Sequence, residues 1–160
     1  MSSFTDKEIE YLNSQRLGRL ATLSADGSPH LTVVSFRYNP ELDALDLGGR
    51  DMGNSKKFRD VSRDGRVAFV VDDVRPPWIP RGIEIRGQAE AIPNGEPLRP
   101  GFANEIIRLH PTHIVGWGIE SEEYGPNSRK VEGLSTVGAN RCSPSAISLT
   151  RSQHCVILAP

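Results

Sequence analysis

The densest group of residues able to do chemistry is Asn54-Ser55-Lys56-Lys57, with Arg50 before it and Arg59 after it. Asn54 or Ser55 can cap a helix, and the first amides of a helix have no partner within it. Those free N–H groups, the positive end of the helix dipole and two ammonium groups together suit an anion, a phosphate above all. Each charge-assisted hydrogen bond contributes about 1.5–3 kcal/mol, so three or four would hold a phosphorylated ligand even in a chain of near-zero charge. The same pattern also describes a solvated basic helix face, and spacing leaves both readings open. Gly48-Gly49, just upstream, lacks the spacing of a Walker or dinucleotide fingerprint.

Other candidates are weaker. Trp78, bracketed by Pro76, Pro77 and Pro80, is a rigid indole that either walls an aromatic ligand or anchors its own loop. His110-Pro111-Thr112-His113 has the spacing of a metal pair but no acid or cysteine partner at ligand distance, so it reads as a helix stop before a strand. His30 reads as a polar strand start. Only Cys142 and Cys155 are present, which gives neither a disulfide framework nor zinc spacing. No Ser-His-Asp or Cys-His set supports a nucleophilic hydrolase. An anion cradle and an aromatic loop without evident acid–base machinery suit a protein whose bound cofactor carries the hard chemistry.

The elements that must position these residues follow from periodicity. Thr5 and Glu8 form a capping box, and Ile9, Leu12 and Leu17 continue a short helix to about residue 16. Arg19 to Ser24 reads as a strand closed by the hairpin turn Asp26-Gly27, and His30 to Tyr38 pairs back. In that second strand Thr32, Val34 and Phe36 share one face, and Leu31, Val33, Ser35 and Arg37 the other. Ala44 to Gly48 makes a third strand, and a basic helix with apolar Phe58 and Val61 runs to Asp64-Gly65. Arg66 to Val71 is an apolar run buried on both faces. The prolines around Trp78 exclude regular structure there.

Gly82 to Ile92 alternates, with Ile83, Ile85, Gly87, Ala89 and Ala91 inward; the charged Glu84, Arg86 and Glu90 opposite them are expected to pair across strands. A connector from Pro93 to Gly101 leads to a helix over about 102–109, and His113 to Ile119 is the last strand. Six mostly antiparallel strands with helical inserts favour a closed barrel, because closure removes free edges.

At 160 residues the chain has the length of one domain, placed here at 1–131, with a tail of unassigned role over 132–160. Nineteen basic against 20 acidic residues leave no field to attract nucleic acid or a lipid surface. No stretch resembles a signal peptide or reaches the ~18 apolar residues of a membrane span, so a cytoplasmic protein is expected.

The blocks RLATLSADGSPHLTVVSF, DLGGRDMGNSKKFRDVSRDGRVAFVVDD, GIEIRGQAEAI and HIVGWGIE, in that order and spacing, resemble the pyridoxamine 5'-phosphate oxidase-like superfamily, specifically its actinobacterial F420-dependent oxidoreductase branch. The resemblance covers about residues 8–131. It implies a six-stranded antiparallel split β-barrel, all-β with helical inserts, forming a homodimer with two cofactor sites between the subunits. Carried over by position, it puts the phosphate contact on Lys57 with Asn54, Ser55 and Lys56 as neighbours. It sets Thr32, Val33, Val34 and Ser35 beside an isoalloxazine-type ring, Gly48 and Gly49 where the cofactor tail approaches, and Trp78 where the partner subunit reaches across. Phe58 departs from relatives with a small hydroxylated residue there. The resemblance carries over no general acid. It implies an F420H2-dependent reductase acting on an unsaturated small molecule. An FMN-dependent oxidase or reductase and a non-catalytic flavin or heme carrier are the rivals.

Overall fold

The computed structural model describes residues 2–121 and 125–131. Helix α1 (Asp6–Ser14) starts as the spacing predicts. The Thr5 side chain accepts the Glu8 amide, and the Glu8 carboxylate accepts the Thr5 amide at 3.0 Å. This reciprocal cap satisfies two donors that the helix cannot satisfy itself. Glu8 is buried, and its carboxylate also takes both guanidinium nitrogens of Arg129.

Strand β1 (Leu17–Leu23) turns at Gly27, whose φ of +82° few side-chain-bearing residues adopt, into β2 (Pro29–Asn39). Then follow β3 (Ala44–Gly48), α2 (Lys56–Arg63), β4 (Arg66–Arg75), β5 (Ile79–Ile92), β6 (Ile106–Trp117) and β7 (Asn127–Lys130). The sheet order is β3-β2-β1-β4-β5-β6-β7, with β3 also pairing β6, so β1 to β6 close into an antiparallel barrel. One edge of β6 is shared. Residues 107–109 pair with β3 and residues 113–116 with β7, which makes β7 a flap on the split side.

The barrel interior is filled from every strand, by Leu20, Phe36, Leu47, Phe69, Ile85 and Leu109 among others. Phe36 and Phe69 meet edge to face at 5.3 Å. A Cβ on Gly18 would lie 2.1 Å from the Phe69 ring, so only glycine lets β1 pass over it. Among the described residues no helix is long and apolar enough to cross a membrane.

Three expectations are corrected. The helix expected over 102–109 does not form. Strand β6 begins at Ile106, and Ile106, Ile107 and Leu109 are all fully buried. Ile107 and Leu109 point inward while Arg108 and His110 lie on the other face, but Phe102, Ile106 and Leu109 also stand at i, i+4, i+7, a spacing that mimics a helix. Pro111 therefore lies inside the strand, in the gap where β6 passes from β3 to β7. Opposite it the register slips at Arg86/Gly87, a bulge that accommodates a residue without an N–H.

The proline segment is also more regular than expected. Arg75 pairs with Ile79 and Val74 with Pro80, so only residues 76–78 form the hairpin tip. Among the expected charge pairs, Glu90 does cross to His110 at 3.2 Å, but Arg86 pairs with Glu84 of its own strand at 3.0 Å. The tail over 132–160, with Cys142 and Cys155, lies outside the described residues.

Candidate functional site

Ser55 is the residue that caps α2. Its hydroxyl accepts the Phe58 amide at 3.3 Å and donates to the Met52 carbonyl at 2.6 Å. Its one donor and one of its two acceptor sites are spent locally, and the amides of Lys56 and Lys57 are left without an intrahelical acceptor. Asn54 is likewise engaged, donating to Asp51 at 2.7 Å while its carbonyl accepts from Arg59 at 2.6 Å. The loop that presents the helix start is thus fixed by its own side chains.

The two lysines differ. The Lys56 ammonium donates to Ser24 at 2.7 Å and to both oxygens of Asp60 at 3.0 and 3.1 Å. Asp60 is 3 % exposed and also receives Arg63 at 3.1 Å and Thr22 at 3.0 Å, with His30 at 3.5 Å. Burial pushes the Asp60 carboxyl up, but the hydrogen bonds from Lys56, Arg63 and Thr22 outweigh it and hold the group below the usual carboxylate range. Lys56 is therefore a strut between α2 and Ser24, just past the end of β1.

Lys57 is half-buried and has no hydrogen bond or ion pair among the described residues; burial alone lowers its ammonium below the ordinary lysine value. A partly desolvated cation beside two unused amides is electrostatically incomplete, and a phosphate would complete it. The residues present fit such a group, with one cation rather than two. Phe58 packs against the core.

Along β2, Leu31 and Val33 face outward at 67 % and 56 % exposure, and Val34 is in the core. Thr32 is half-buried opposite Leu20 and its hydroxyl donates to the Val33 carbonyl at 3.4 Å, whereas at Val34 only the backbone is available to a ring lying outside. Ser35 stands opposite Leu17 on one side and Gly48 on the other. Gly48 is small for a protein neighbour, since a Cβ there would come within 2.7 Å of Leu98. Gly49 has room above it, with the nearest atom, in Met52, 4.0 Å from a Cβ, and its carbonyl accepts the Ala103 amide at 2.9 Å. Trp78 is at the hairpin tip, 79 % exposed. His110 faces Glu90 and His113 faces Ser128 at 2.9 Å.

Sequence reasoning missed a groove of about 480 Å³ at the Ser35 end of β2, walled by Gln15, Arg16 and Leu17, by Arg37, and by Arg99 and Phe102. Its α1 wall is tied to the β4–β5 hairpin. Gln15 donates to Asp73 at 3.1 Å, and Arg81 grips Asp73 at 2.7 and 2.9 Å while lying 4.8 Å over the Tyr11 ring. No local pattern could reveal a groove assembled from segments so far apart in the chain.

Comparison with known proteins adds the following. The sequence pattern of pyridoxamine 5'-phosphate oxidase matches residues 4–132. A 5a,11a-dehydrotetracycline/5a,11a-dehydrooxytetracycline reductase of Streptomyces rimosus is 52 % identical over 122 residues, which is 74 % of this chain and 86 % of that one. An F420H2-dependent biliverdin reductase of Mycobacterium tuberculosis is 27 % identical over 112 residues, 69 % and 80 % of the two chains. The crystal structure of a conserved hypothetical protein of Mycobacterium tuberculosis superposes with a TM-score of 0.58 at 22 % identity, covering 72 % of this chain and 86 % of that one. At such identity the likeness speaks for the fold.

Proposed function

This chain belongs to the pyridoxamine 5'-phosphate oxidase family, and from that premise we propose that it is a reductase that uses reduced F420 to place a hydride on an unsaturated small molecule. The observation that carries the reading is Lys57, a half-buried ammonium without a partner among the described residues, beside the two free amides that open α2. Two relatives named as reductases, one of them F420H2-dependent, support the redox class and favour the deazaflavin over FMN. The bound deazaflavin supplies the hydride as an obligate two-electron carrier. The chain holds the phosphate end at Lys57, backs the ring with β2 and limits water around it.

The active form in this reading is a homodimer. Leu17 and Val33 are 52 % and 56 % exposed on the outward face of β1 and β2, beside Leu31. A second copy of the chain would cover this apolar surface.

Separate titrations with F420 and FMN test the cofactor. The expected result is saturable F420 binding, and oxidation of F420H2 when a conjugated acceptor is added. A protein that purifies yellow with FMN and ignores F420 would replace the deazaflavin, and binding of neither would remove the redox reading. Light scattering in solution should give twice the chain mass; a monomer contradicts the shared site.

A further inference from the structure

The 480 Å³ groove does not end at Phe102. A second cavity of about 460 Å³ shares Arg99 and Phe102 with it and adds Arg50. Four arginines, Arg16, Arg37, Arg50 and Arg99, thus line two cavities that adjoin at Arg99 and Phe102, here called the trough, and no acidic residue lines either part. Arg37 is partly neutralised, with Glu96 at 3.5 Å and Asp46 at 3.9 Å. Arg16, Arg50 and Arg99 have no acid partner among the described residues. In a chain whose formal charge is −1, this concentration of unpaired cations is local.

A scatter of solvated surface arginines would also be unpaired. Here the charges converge on a concave surface that already contains a stack. The Arg99 guanidinium lies 4.2 Å over the Phe102 ring, an arrangement that presents a flat cationic plane to whatever enters. Leu98 and Tyr38 give the same lining apolar area. The trough therefore offers stacking surface and positive charge together, the combination that selects a planar aromatic anion over either a neutral aromatic or a small inorganic ion. Ser35, on the strand that backs the ring in the proposed function, is part of its lining.

We propose that this trough is the organic substrate site, and that it takes a flat, conjugated polycyclic molecule carrying an enolate or carboxylate, with Arg99 and Arg16 as the principal anion contacts. Calling the ligand a substrate rests on the reductase reading; the binding does not. Negative charge that builds on a conjugated carbonyl oxygen as hydride arrives at carbon would meet the same arginines.

The test is a fluorescence titration of the full chain, without cofactor, with tetracycline as the probe: a planar polycycle with ionisable enols. Saturable binding is expected, weakening as salt is raised. Arg99→Ala and Arg16→Ala should each bind tenfold or more weakly, and Arg99→Lys, which keeps the charge but not the planar stack, should lie between Arg99→Ala and wild type. Circular dichroism of each variant should match wild type, because both side chains are on the surface. Titration of the arginine variants with F420 should give the wild-type affinity.

Absence of saturable binding, or arginine variants that bind the probe as wild type does, would overturn the proposal. So would arginine variants that lose F420 instead of tetracycline, which would assign the trough to the anionic part of the cofactor. A chain that binds tetracycline as expected but neither F420 nor FMN keeps the site and loses the redox reading, so the two failures are distinguishable.

Discussion

The corner around Asp60 and the trough around Arg99 are both rich in cations, and they differ in what faces those cations. At the corner a carboxylate that is 3 % exposed receives Lys56, Arg63 and Thr22, and the result is a closed knot that fastens α2 to the barrel. In the trough Arg16, Arg50 and Arg99 face no acid among the described residues. Lys57 sits beside the knot in sequence but, like those arginines, has no acid partner among the described residues. Basic residues that a protein has already paired are structural, and those it leaves unpaired in a concavity await a ligand.

The largest effect should come from cutting the knot. Asp60→Asn removes the charge that three donors share, and unfolding in urea should show a loss of about 2–3 kcal/mol, the lower side of what a buried charged group costs because Lys56 and Arg63 regain water. If Asp60→Asn costs less than about 0.5 kcal/mol, the knot is not structural and the contrast fails.

Next in size, Lys57→Ala should weaken cofactor binding by about 1.5–3 kcal/mol while the thermal midpoint hardly moves, since Lys57 has no partner to lose. Calorimetry and a melting curve on the same variant read both numbers.

Acid sharpens the comparison. Because the folded-state pKa of Asp60 is depressed, its stabilisation is present above the unfolded value near 4 and is lost as pH falls through the folded value. Wild type should therefore lose stability below about pH 4 more steeply than Asp60→Asn. Parallel slopes would contradict the hydrogen bonds that hold the carboxylate ionised.

The smallest effect concerns protons at Lys57. Burial lowers its pKa, and a bound phosphate favours the charged form again, so binding at alkaline pH should take up a fraction of a proton. Affinity should then fall as pH rises through the lowered pKa, at a lower pH than an exposed lysine would give. Titrations in buffers of different ionisation enthalpy measure that uptake, and none at any pH would place Lys57 away from the anion.

Much of the fold was legible because local chemistry and tertiary structure agree. The capping box at Thr5, the turn at Gly27, the alternation of β5 and the cap at Ser55 each form as their residue types require. Residues 106–109 misled because Phe102, Ile106 and Leu109 recur at helical spacing, while the alternation of Ile107 and Leu109 with Arg108 and His110 is cut short by Pro111. Strand β7, Asn-Ser-Arg-Lys, has no apolar alternation and is held by pairing to β6 and by the Arg129–Glu8 contact, which no window of sequence contains.

At the site, the basic run was visible, but which lysine is free was not drawn from it. The signal existed: Asp60 stands four residues after Lys56, the spacing at which opposite charges meet on a helix. The trough had no such signal, because Arg16, Arg37, Arg50 and Arg99 converge only once the barrel is closed.

The most direct test compares neighbours. F420 is titrated into Lys56→Ala and Lys57→Ala side by side. Lys57→Ala should lose about tenfold or more in affinity, and Lys56→Ala should stay within about threefold of wild type, because its ammonium is already held by Asp60. Equal losses, or the larger loss at Lys56, would show that the paired cation is the one that meets the ligand.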